Sequence, residues 1–243
     1  MKYCRINRLM PYLTWLWLGG CAHIQPDEAN IVPMVNADLP EKYGVMIENR
    51  DGDRLAGFAS GIWIGDGLIL TAAHVVDNKD PGMTNSHPYV VFANFTSVPA
   101  TVVKIGVREN FDLAILRIST EQIPKSVRIL PSLLICNRYA IAAEELDVVN
   151  GSGAVETRAA VDFKTLFKGG QEGTEYLSAT FGFGYSGSGI FSRKDHCLMG
   201  IISKKEEQTT KTHGTRWPLS ISRTGTRFYG IDEIKEIVDA ARK

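Results

Sequence analysis

One turn-like stretch of the chain has the composition that a reactive serine needs. Ser186 lies in the run GYSGSG, from Gly184 to Gly189. Glycine is costly inside a helix or strand, so this density of glycine indicates a tight turn that exposes a serine hydroxyl and turns backbone N–H groups into one small space. A nucleophile beside an oxyanion hole has that geometry. The alternative is a Gly/Ser-rich loop without chemistry, and the choice depends on a histidine and a carboxylate elsewhere.

A histidine and an aspartate with suitable surroundings lie earlier in the chain. His74 ends the string LILTAAH, and Asp112 opens the apolar run DLAIL. A lone histidine in apolar surroundings is more often a core residue than a catalyst. A buried carboxylate, however, is costly without a dedicated partner, and an imidazole N–H is such a partner. Taken together with Ser186, the two strings predict a triad in which serine attacks, histidine moves the proton and aspartate orients the histidine.

The part of the chain that must position these residues is predicted to be β. From Tyr43 onward, short apolar or alternating runs recur between turn signals such as the GDG of residues 65–67. This spacing indicates a barrel or sandwich rather than βαβ units. One helix is predicted over Ile231 to Ala241, where isoleucines recur at helical spacing. A chain of 243 residues is long enough to bury a sizeable core.

Charge and ligand spacing argue against several classes of function. The chain has 27 Lys and Arg residues against 27 Asp and Glu residues, so its formal net charge is zero. Nucleic-acid binding driven by bulk charge is therefore disfavoured. No His-Glu-x-x-His or Cys-x-x-Cys string is present, and serine acyl transfer needs no cofactor. We expect neither a metal nor a cofactor, and no nucleic-acid partner.

The first residues resemble an export signal with a lipid-attachment site. Lys2, Arg5 and Arg8 precede a short apolar stretch that ends in Cys21, with two small residues immediately before the cysteine. The stretch is shorter than the roughly 20 residues that span a bilayer, and it is typical of a secretory signal. It resembles the lipobox of bacterial lipoproteins, so we expect residues 1–21 to be a signal peptide and Cys21 to carry lipid. The alternative is an ordinary signal peptide with a chance cysteine.

The expected lipid anchor predicts where the protein acts. Acylation would hold the chain on a membrane of the bacterial cell envelope, on its periplasmic side or at the cell surface, without spanning it. Residues 22–42, which are polar and interrupted by prolines, are predicted to be a tether. Of the remaining cysteines, Cys136 and Cys197 belong to the body of the chain. An oxidising compartment would permit them to pair, but their apolar surroundings favour two buried free thiols.

The three strings together resemble those of trypsin-like serine peptidases of the chymotrypsin fold. TAAH at residues 71–74 is similar to the family's histidine motif, FDLAIL at residues 111–116 to its aspartate motif, and GYSGSG at residues 184–189 to its nucleophile motif. The resemblance covers about residues 43–240 and is strongest to the bacterial branch of Deg-type proteases and glutamyl endopeptidases. It implies two six-stranded antiparallel β-barrels in an all-β peptidase domain over residues 43–243, with the triad in the cleft between them.

The resemblance also implies the domain limits and the roles of further residues. Barrel 1 would cover about residues 43–125, barrel 2 about residues 126–230 and the helix residues 231–241, with the join near Ser119 to Pro131. The N–H groups of Gly184 and Ser186 would form the oxyanion hole. The substrate pocket would be formed by Thr180, Phe181 and Ser203. An uncharged threonine beside a phenylalanine favours a small or medium apolar residue before the cleaved bond.

Two positions depart from the family pattern, and one of them is Gly189, which replaces the usual proline. Tyr185 stands where trypsins have the aspartate that pairs with a newly freed N-terminal ammonium. We therefore expect no activation by N-terminal cleavage. The expected activity is endopeptidase cleavage of protein or peptide substrates. The alternatives are a non-catalytic peptidase-fold lipoprotein that acts as a binding or chaperone-like module, and an esterase or acyl transferase that uses the same serine.

Overall fold

The structure is a computed structural model that describes residues 39–77, 87–106, 112–161, 175–177, 179–211 and 220–243. The predicted signal peptide, Cys21 and nearly all of the predicted tether lie outside the described residues, as does Phe111 of the aspartate motif. No helix in the described ranges is long and apolar enough to cross a membrane.

The first sheet has seven antiparallel strands in the order β5-β4-β1-β2-β3-β7-β6. Their bounds are β1 Gly44–Asp51, β2 Arg54–Gly65, β3 Leu68–Thr71, β4 His87–Val91, β5 Ser97–Pro99, β6 Thr101–Ile105 and β7 Ala114–Arg117. The β2–β3 hairpin turns at Asp66 and Gly67, which both have positive φ. That pair of conformations matches the right-handed twist of the flanking strands, which explains the DG dipeptide at the turn.

The two edges of this sheet are joined by a single residue. β5 and β6 are consecutive, and only Ala100 separates them, with its N–H bonded to the Pro88 carbonyl. β5 pairs with β4 while β6 pairs with β7, so the sheet must curl until its edges meet at Ala100. The expected six-stranded barrel therefore has seven strands by count, because its fifth strand bends at Ala100 and is divided into β5 and β6.

The second sheet is a closed antiparallel barrel with the strand order β10-β13-β12-β11-β8-β9. Its strands are β8 Glu145–Val149, β9 Val155–Val161, β10 Glu175–Leu177, β11 Gly189–Ser192, β12 Leu198–Lys211 and β13 Ser220–Tyr229. The expected class, an all-β chymotrypsin-like protein with a C-terminal helix, is confirmed. The predicted join near Ser119 to Pro131 falls in the connection between β7 and β8, which includes the single-turn helix α2, Lys125–Arg128.

The final helix, α3, covers Ile231–Arg242. Its buried residues Ile234, Ile237 and Val238 belong to the same apolar cluster as the core of the first barrel. Arg117 at the end of β7 also donates a hydrogen bond to the Ala241 carbonyl. The helix therefore follows the second barrel in sequence but packs against β6 and β7 of the first barrel as well as β12 of the second.

A disulfide joins Cys136 to Cys197, which corrects the expectation of two free thiols. The Cys136 N–H is bonded to the Leu198 carbonyl, and the Leu198 N–H is bonded to the Leu134 carbonyl. This pairing aligns the connecting segment with the start of β12 and brings the two Cα atoms within 5.1 Å, inside the range that a disulfide spans. The sequence could not reveal this long-range alignment.

Candidate active site

The pairing of β3 with β7 brings His74 and Asp112 together. These strands are antiparallel, and Thr71, the last residue of β3, pairs with Ala114, the first residue of β7. His74 follows Thr71 in a single-turn helix, α1 (Ala73–Val76), while Asp112 immediately precedes β7. Both residues therefore lie at the same end of the first barrel, although 38 positions separate them.

Asp112 holds His74 at two points. Its Oδ2 lies 2.7 Å from His74 Nδ1, and its Oδ1 accepts a 2.8 Å hydrogen bond from the His74 backbone N–H. The Asp112 side chain is 9% exposed, whereas that of His74 is 31% exposed. The buried carboxylate therefore fixes the imidazole ring through one nitrogen, and the ring reaches the solvent-accessible cleft.

A third side chain completes the surroundings of the aspartate. Ser203, fully buried just beyond the β11–β12 pairing, donates its hydroxyl to Asp112 Oδ2 at 2.5 Å. Burial alone would raise the pKa of Asp112, but the hydrogen bonds from His74 and Ser203 outweigh it and hold that pKa below its ordinary value. Asp112 is therefore ionised at neutral pH.

Ser186 reaches the site from the second barrel. It lies three residues before β11, whose Gly189 pairs with Ile201 of β12, and Ser203 follows two residues after that partner. The Ser186 hydroxyl donates a 3.3 Å hydrogen bond to the Ser203 carbonyl. Ser203 thus contacts both the aspartate through its side chain and the serine through its backbone.

The turn that contains Ser186 packs directly onto strand β2 of the first barrel. The Ser60 N–H donates to the Ser186 carbonyl at 2.8 Å, and Thr71 Oγ1 donates to the Ser60 carbonyl at 2.8 Å. Gly187 has φ +84°, and a Cβ at that position would lie 1.9 Å from the Ser60 carbonyl oxygen. Only glycine fits there, because both the backbone conformation and the close approach exclude a side chain.

Gly184, whose N–H is the other expected oxyanion donor, is confined from two sides. It has φ +88°, and a Cβ on it would lie 2.7 Å from Phe58 Cε2. Its carbonyl accepts a 2.6 Å hydrogen bond from the Ser60 hydroxyl. The Gly184 carbonyl group therefore points toward Ser60 of the first barrel.

A cleft of about 560 Å³ lies between the two barrels. Its lining includes His74, Ser186, Gly184 and Ser203, together with exposed or half-buried aromatic side chains. The aromatic lining residues are Phe58, Phe181 and Phe183.

Two of the three expected pocket residues, Phe181 and Ser203, line the cleft, but Thr180 does not. Thr180 is exposed, and the neighbouring Ala179 carbonyl is tied to the hydroxyl of Thr226 on β13. The other described histidines, His87 and His196, are exposed and lie outside the cleft lining. His213 lies beyond the described residues.

Ser60 and Glu156 carry no signal in the sequence, and Thr71 is indicated only as the first residue of the histidine motif. Ser60 contacts Gly184 across 124 positions, and no local pattern signals such a contact. Within the described ranges, no group of three or more His, Cys, Asp or Glu side chains is arranged to hold a metal ion. The chemistry that this arrangement can perform is proton transfer between a hydroxyl in the cleft and an imidazole oriented by a carboxylate.

A family model described as a trypsin-like peptidase domain matches residues 59–201, more than half of the chain. The match begins on β2, ends on β12 and includes His74, Asp112 and Ser186. No curated protein matches the chain.

Solved structures share the fold at low sequence identity. The chain is similar to the Rv3671c protease in its inactive form, with a TM-score of 0.53 and 16% identity over 83% of this chain and 90% of that one. It is also similar to a serine-to-alanine mutant of Rv3671c from M. tuberculosis H37Rv, another inactive form. That comparison has a TM-score of 0.52 and 16% identity over 84% of this chain and 89% of that one. The comparison with the serine endoprotease from Yersinia pestis has a TM-score of 0.54 and 18% identity over 83% of this chain and 63% of that one.

Proposed function

Because the chain belongs to the trypsin-like peptidase domain family, we propose that it is a serine endopeptidase with His74, Asp112 and Ser186 as its triad. The observation that carries the proposal is the 2.7 Å contact between His74 Nδ1 and the buried Asp112 carboxylate, at a cleft that Ser186 also lines. A buried carboxylate that orients a solvent-accessible imidazole is what proton abstraction from a hydroxyl requires.

The proposed reaction proceeds through an acyl-enzyme. Ser186 Oγ attacks the peptide carbonyl carbon while its proton moves to His74 Nε2, and the carbonyl oxygen becomes an oxyanion. The N–H groups of Gly184 and Ser186 stabilise that oxyanion. Collapse of the intermediate breaks the C–N bond, and His74 gives its proton to the leaving amine. Water then attacks the acyl group with His74 as base, which releases the acid and restores Ser186.

One observation favours a second candidate, a peptidase-fold protein that binds peptides without cleaving them. The Ser186 hydroxyl donates to the Ser203 carbonyl, and no hydrogen bond joins it to His74 although both residues are described. A hydroxyl exchanges acceptors by rotation about one bond, and catalytic hydrogen bonds commonly tighten only when substrate is bound. We therefore keep the peptidase as the principal proposal.

A fluorophosphonate probe separates the two candidates. A peptidase should be labelled in the wild type but not in Ser186→Ala or His74→Ala. Ser188→Ala is the matched control, because Ser188 lies in the same turn but its buried hydroxyl has no partner among the described residues. No labelling of a folded wild type, as judged by circular dichroism, would favour the binding protein.

We propose that the residue before the cleaved bond is small or medium and apolar. Phe58, Phe181 and Phe183 give the cleft an apolar lining, and apolar lining favours apolar ligands. Profiling with a peptide library, with Ser186→Ala as the blank, tests this preference. A strict requirement for Arg, Lys or Glu would refute it.

The proposed location rests on the sequence alone. We propose that the chain is exported and held on the bacterial cell envelope by lipid on Cys21, and that it is nearest to the Deg-type and glutamyl-endopeptidase branch. Metabolic labelling with an alkyne fatty acid should tag the wild type, and Cys21→Ser should lose both the tag and the membrane association. A Cys21→Ser variant that still incorporated the alkyne fatty acid would exclude this cysteine as the lipid anchor.

A further inference from the structure

Four side chains beside the nucleophile form a closed ring of contacts, which we name the Tyr185 clamp: Tyr185, Glu156, Arg158 and Phe181. The Tyr185 hydroxyl donates to a Glu156 carboxylate oxygen. Arg158 donates to the other oxygen of the same carboxylate, and its guanidinium lies 5.7 Å from the centre of the Phe181 ring. The Phe181 and Tyr185 rings are 4.9 Å apart and close the ring of contacts.

The clamp connects the nucleophile turn to a strand of the second barrel. Glu156 and Arg158 belong to β9 and lie two residues apart, so their side chains emerge on the same face of the strand. Phe181 and Tyr185 pack against the core of that barrel. The hydrogen bond to Glu156, together with partial burial, raises the pKa of Tyr185, so the phenol remains a donor throughout the neutral range.

Gly182 and Phe183, between the two aromatic residues of the clamp, have little packing of their own. Phe183 is fully exposed, at 101% of its reference area. A Cβ on Gly182 would meet nothing within 4 Å, and Gly184 has positive φ. Glycine is the most conformationally permissive residue. The orientation of the Gly184 N–H therefore depends on the anchors at either end of residues 181–185 and on the Ser60 hydrogen bond to the Gly184 carbonyl.

We propose that the Tyr185 clamp is a positioning device that fixes the peptide of Gly184 so that its N–H faces the oxyanion. This inference rests on the proposed peptidase function and names residues that act through Gly184 rather than on the substrate. Tyr185 immediately precedes Ser186, and its carbonyl accepts the Ser188 N–H at 2.9 Å. That bond holds the peptide that carries the Ser186 N–H, so a shift of the Tyr185 ring would chiefly displace the Gly184 N–H.

The kinetic test compares two tyrosines that make the same kind of bond. Tyr185→Phe keeps the ring but removes the donor to Glu156. Its kcat should fall by up to about 10²-fold, the cost of losing one oxyanion donor, while KM changes little because ground-state contacts remain. Tyr139→Phe is the control, since Tyr139 also donates to a carboxylate, that of Asp232 on α3, and it should match the wild type. Equal kcat in all three proteins would refute the clamp.

A conservative pair of variants separates positioning from loss of stability. Glu156→Gln keeps an acceptor for the phenol and should retain most of the wild-type kcat, whereas Glu156→Ala should behave like Tyr185→Phe. The affinity of a peptide boronate, whose adduct with Ser186 mimics the tetrahedral intermediate, should fall in parallel with kcat. The affinity of the product peptide should not change. A uniform loss of both affinities would indicate general damage and refute the proposal.

Hydrogen exchange tests the clamp without any activity. Amides of the peptide that covers residues 181–188 should exchange several-fold faster in Tyr185→Phe than in the wild type or in Tyr139→Phe. Unchanged exchange would refute the clamp even in an active enzyme. Faster exchange in Tyr185→Phe, combined with a folded wild type that no fluorophosphonate labels, would uphold the clamp and refute the peptidase, so the two failures are distinguishable.

Discussion

The hydroxyl of Ser60, on the first barrel, donates a 2.6 Å hydrogen bond to the carbonyl oxygen of Gly184, on the second. The same hydroxyl accepts the buried N–H of Gly151 at 2.8 Å, and the Ser60 N–H donates to the Ser186 carbonyl. One residue of β2 thus binds the nucleophile turn at two points and the turn after β8 at a third. The geometry of the expected oxyanion hole is therefore a property of how the barrels meet, and not of the glycine-rich turn alone.

Replacing Ser60 with alanine should lower both stability and activity. The Gly151 N–H and the Gly184 carbonyl would lose their partner, and leaving a buried polar group unpaired costs about 1–3 kcal/mol. The free energy of unfolding, measured by urea titration, should fall by that amount, and kcat should fall with it. Ser97→Ala is the control, because the buried Ser97 hydroxyl has no partner among the described residues. A Ser60→Ala variant as stable and active as Ser97→Ala would contradict this role.

The pKa of Asp112 predicts how stability depends on pH. Because the folded protein holds this pKa below its unfolded value, ionised Asp112 stabilises the fold above the unfolded pKa, and that contribution is lost as pH falls through the folded pKa. Asp112→Asn should therefore reduce the dependence of the unfolding free energy on pH at the acid end. It should also reduce kcat by about 10⁴-fold, because the asparagine favours the wrong histidine tautomer.

The control for Asp112 is an aspartate of the second barrel outside the cleft lining. Asp147, on β8, accepts the Thr157 hydroxyl, so Asp147→Asn should leave kcat unchanged. Stability curves measured from neutral pH into the acid range would contradict the assignment if Asp112→Asn and the wild type ran parallel throughout.

The sequence predicted those parts of the site that are encoded within a few residues of one another. The residues on either side of His74, Asp112 and Ser186 are sufficient to indicate each of them as a candidate site residue. In the structure, the pairing of Thr71 with Ala114 brings His74 and Asp112 together. The contacts that the sequence did not predict are long-range. Glu156 accepts the hydroxyl of Tyr185 across 29 positions of the chain, and Cys136 is bonded to Cys197 across 61. The residues next to each of these positions give no information about which distant residue it contacts.

Gly189 has a packing role that the sequence alone does not reveal. The sequence indicates Gly189 only as the end of a glycine-rich turn in place of the family's proline, yet a Cβ there would lie 2.7 Å from Ile62 Cδ1 of the first barrel. Its lack of a side chain therefore allows the two barrels to approach. Such a contact depends on the relative placement of the barrels, which no local pattern contains.

Gly187 should be the least replaceable glycine of the nucleophile turn. A Cβ there would overlap the Ser60 carbonyl oxygen at 1.9 Å and the Thr71 hydroxyl at 2.4 Å, and the residue has positive φ. Gly187→Ala should abolish activity and lower the melting temperature. Gly52→Ala is the control for φ alone, because Gly52 also has positive φ, at +60°, but its Cβ would meet nothing within 4 Å. Equal losses in the two variants would assign the effect to backbone conformation rather than to contact with β2.

The disulfide should stabilise the protein without taking part in the chemistry. Cys136 and Cys197 are 61 residues apart, and a cross-link over a loop of that length stabilises by about 4 kcal/mol in the chain-entropy account. For a protein of this size that corresponds to a fall in melting temperature of roughly 8–16 °C in the double variant Cys136→Ser, Cys197→Ser. Because neither sulfur lines the cleft, kcat measured well below the lowered melting temperature should match the wild type. A double variant with the melting temperature of the wild type would show that the disulfide does not stabilise the fold. A double variant that melts at a lower temperature and has also lost kcat when fully folded would show that the disulfide positions the strand leading to Ser203.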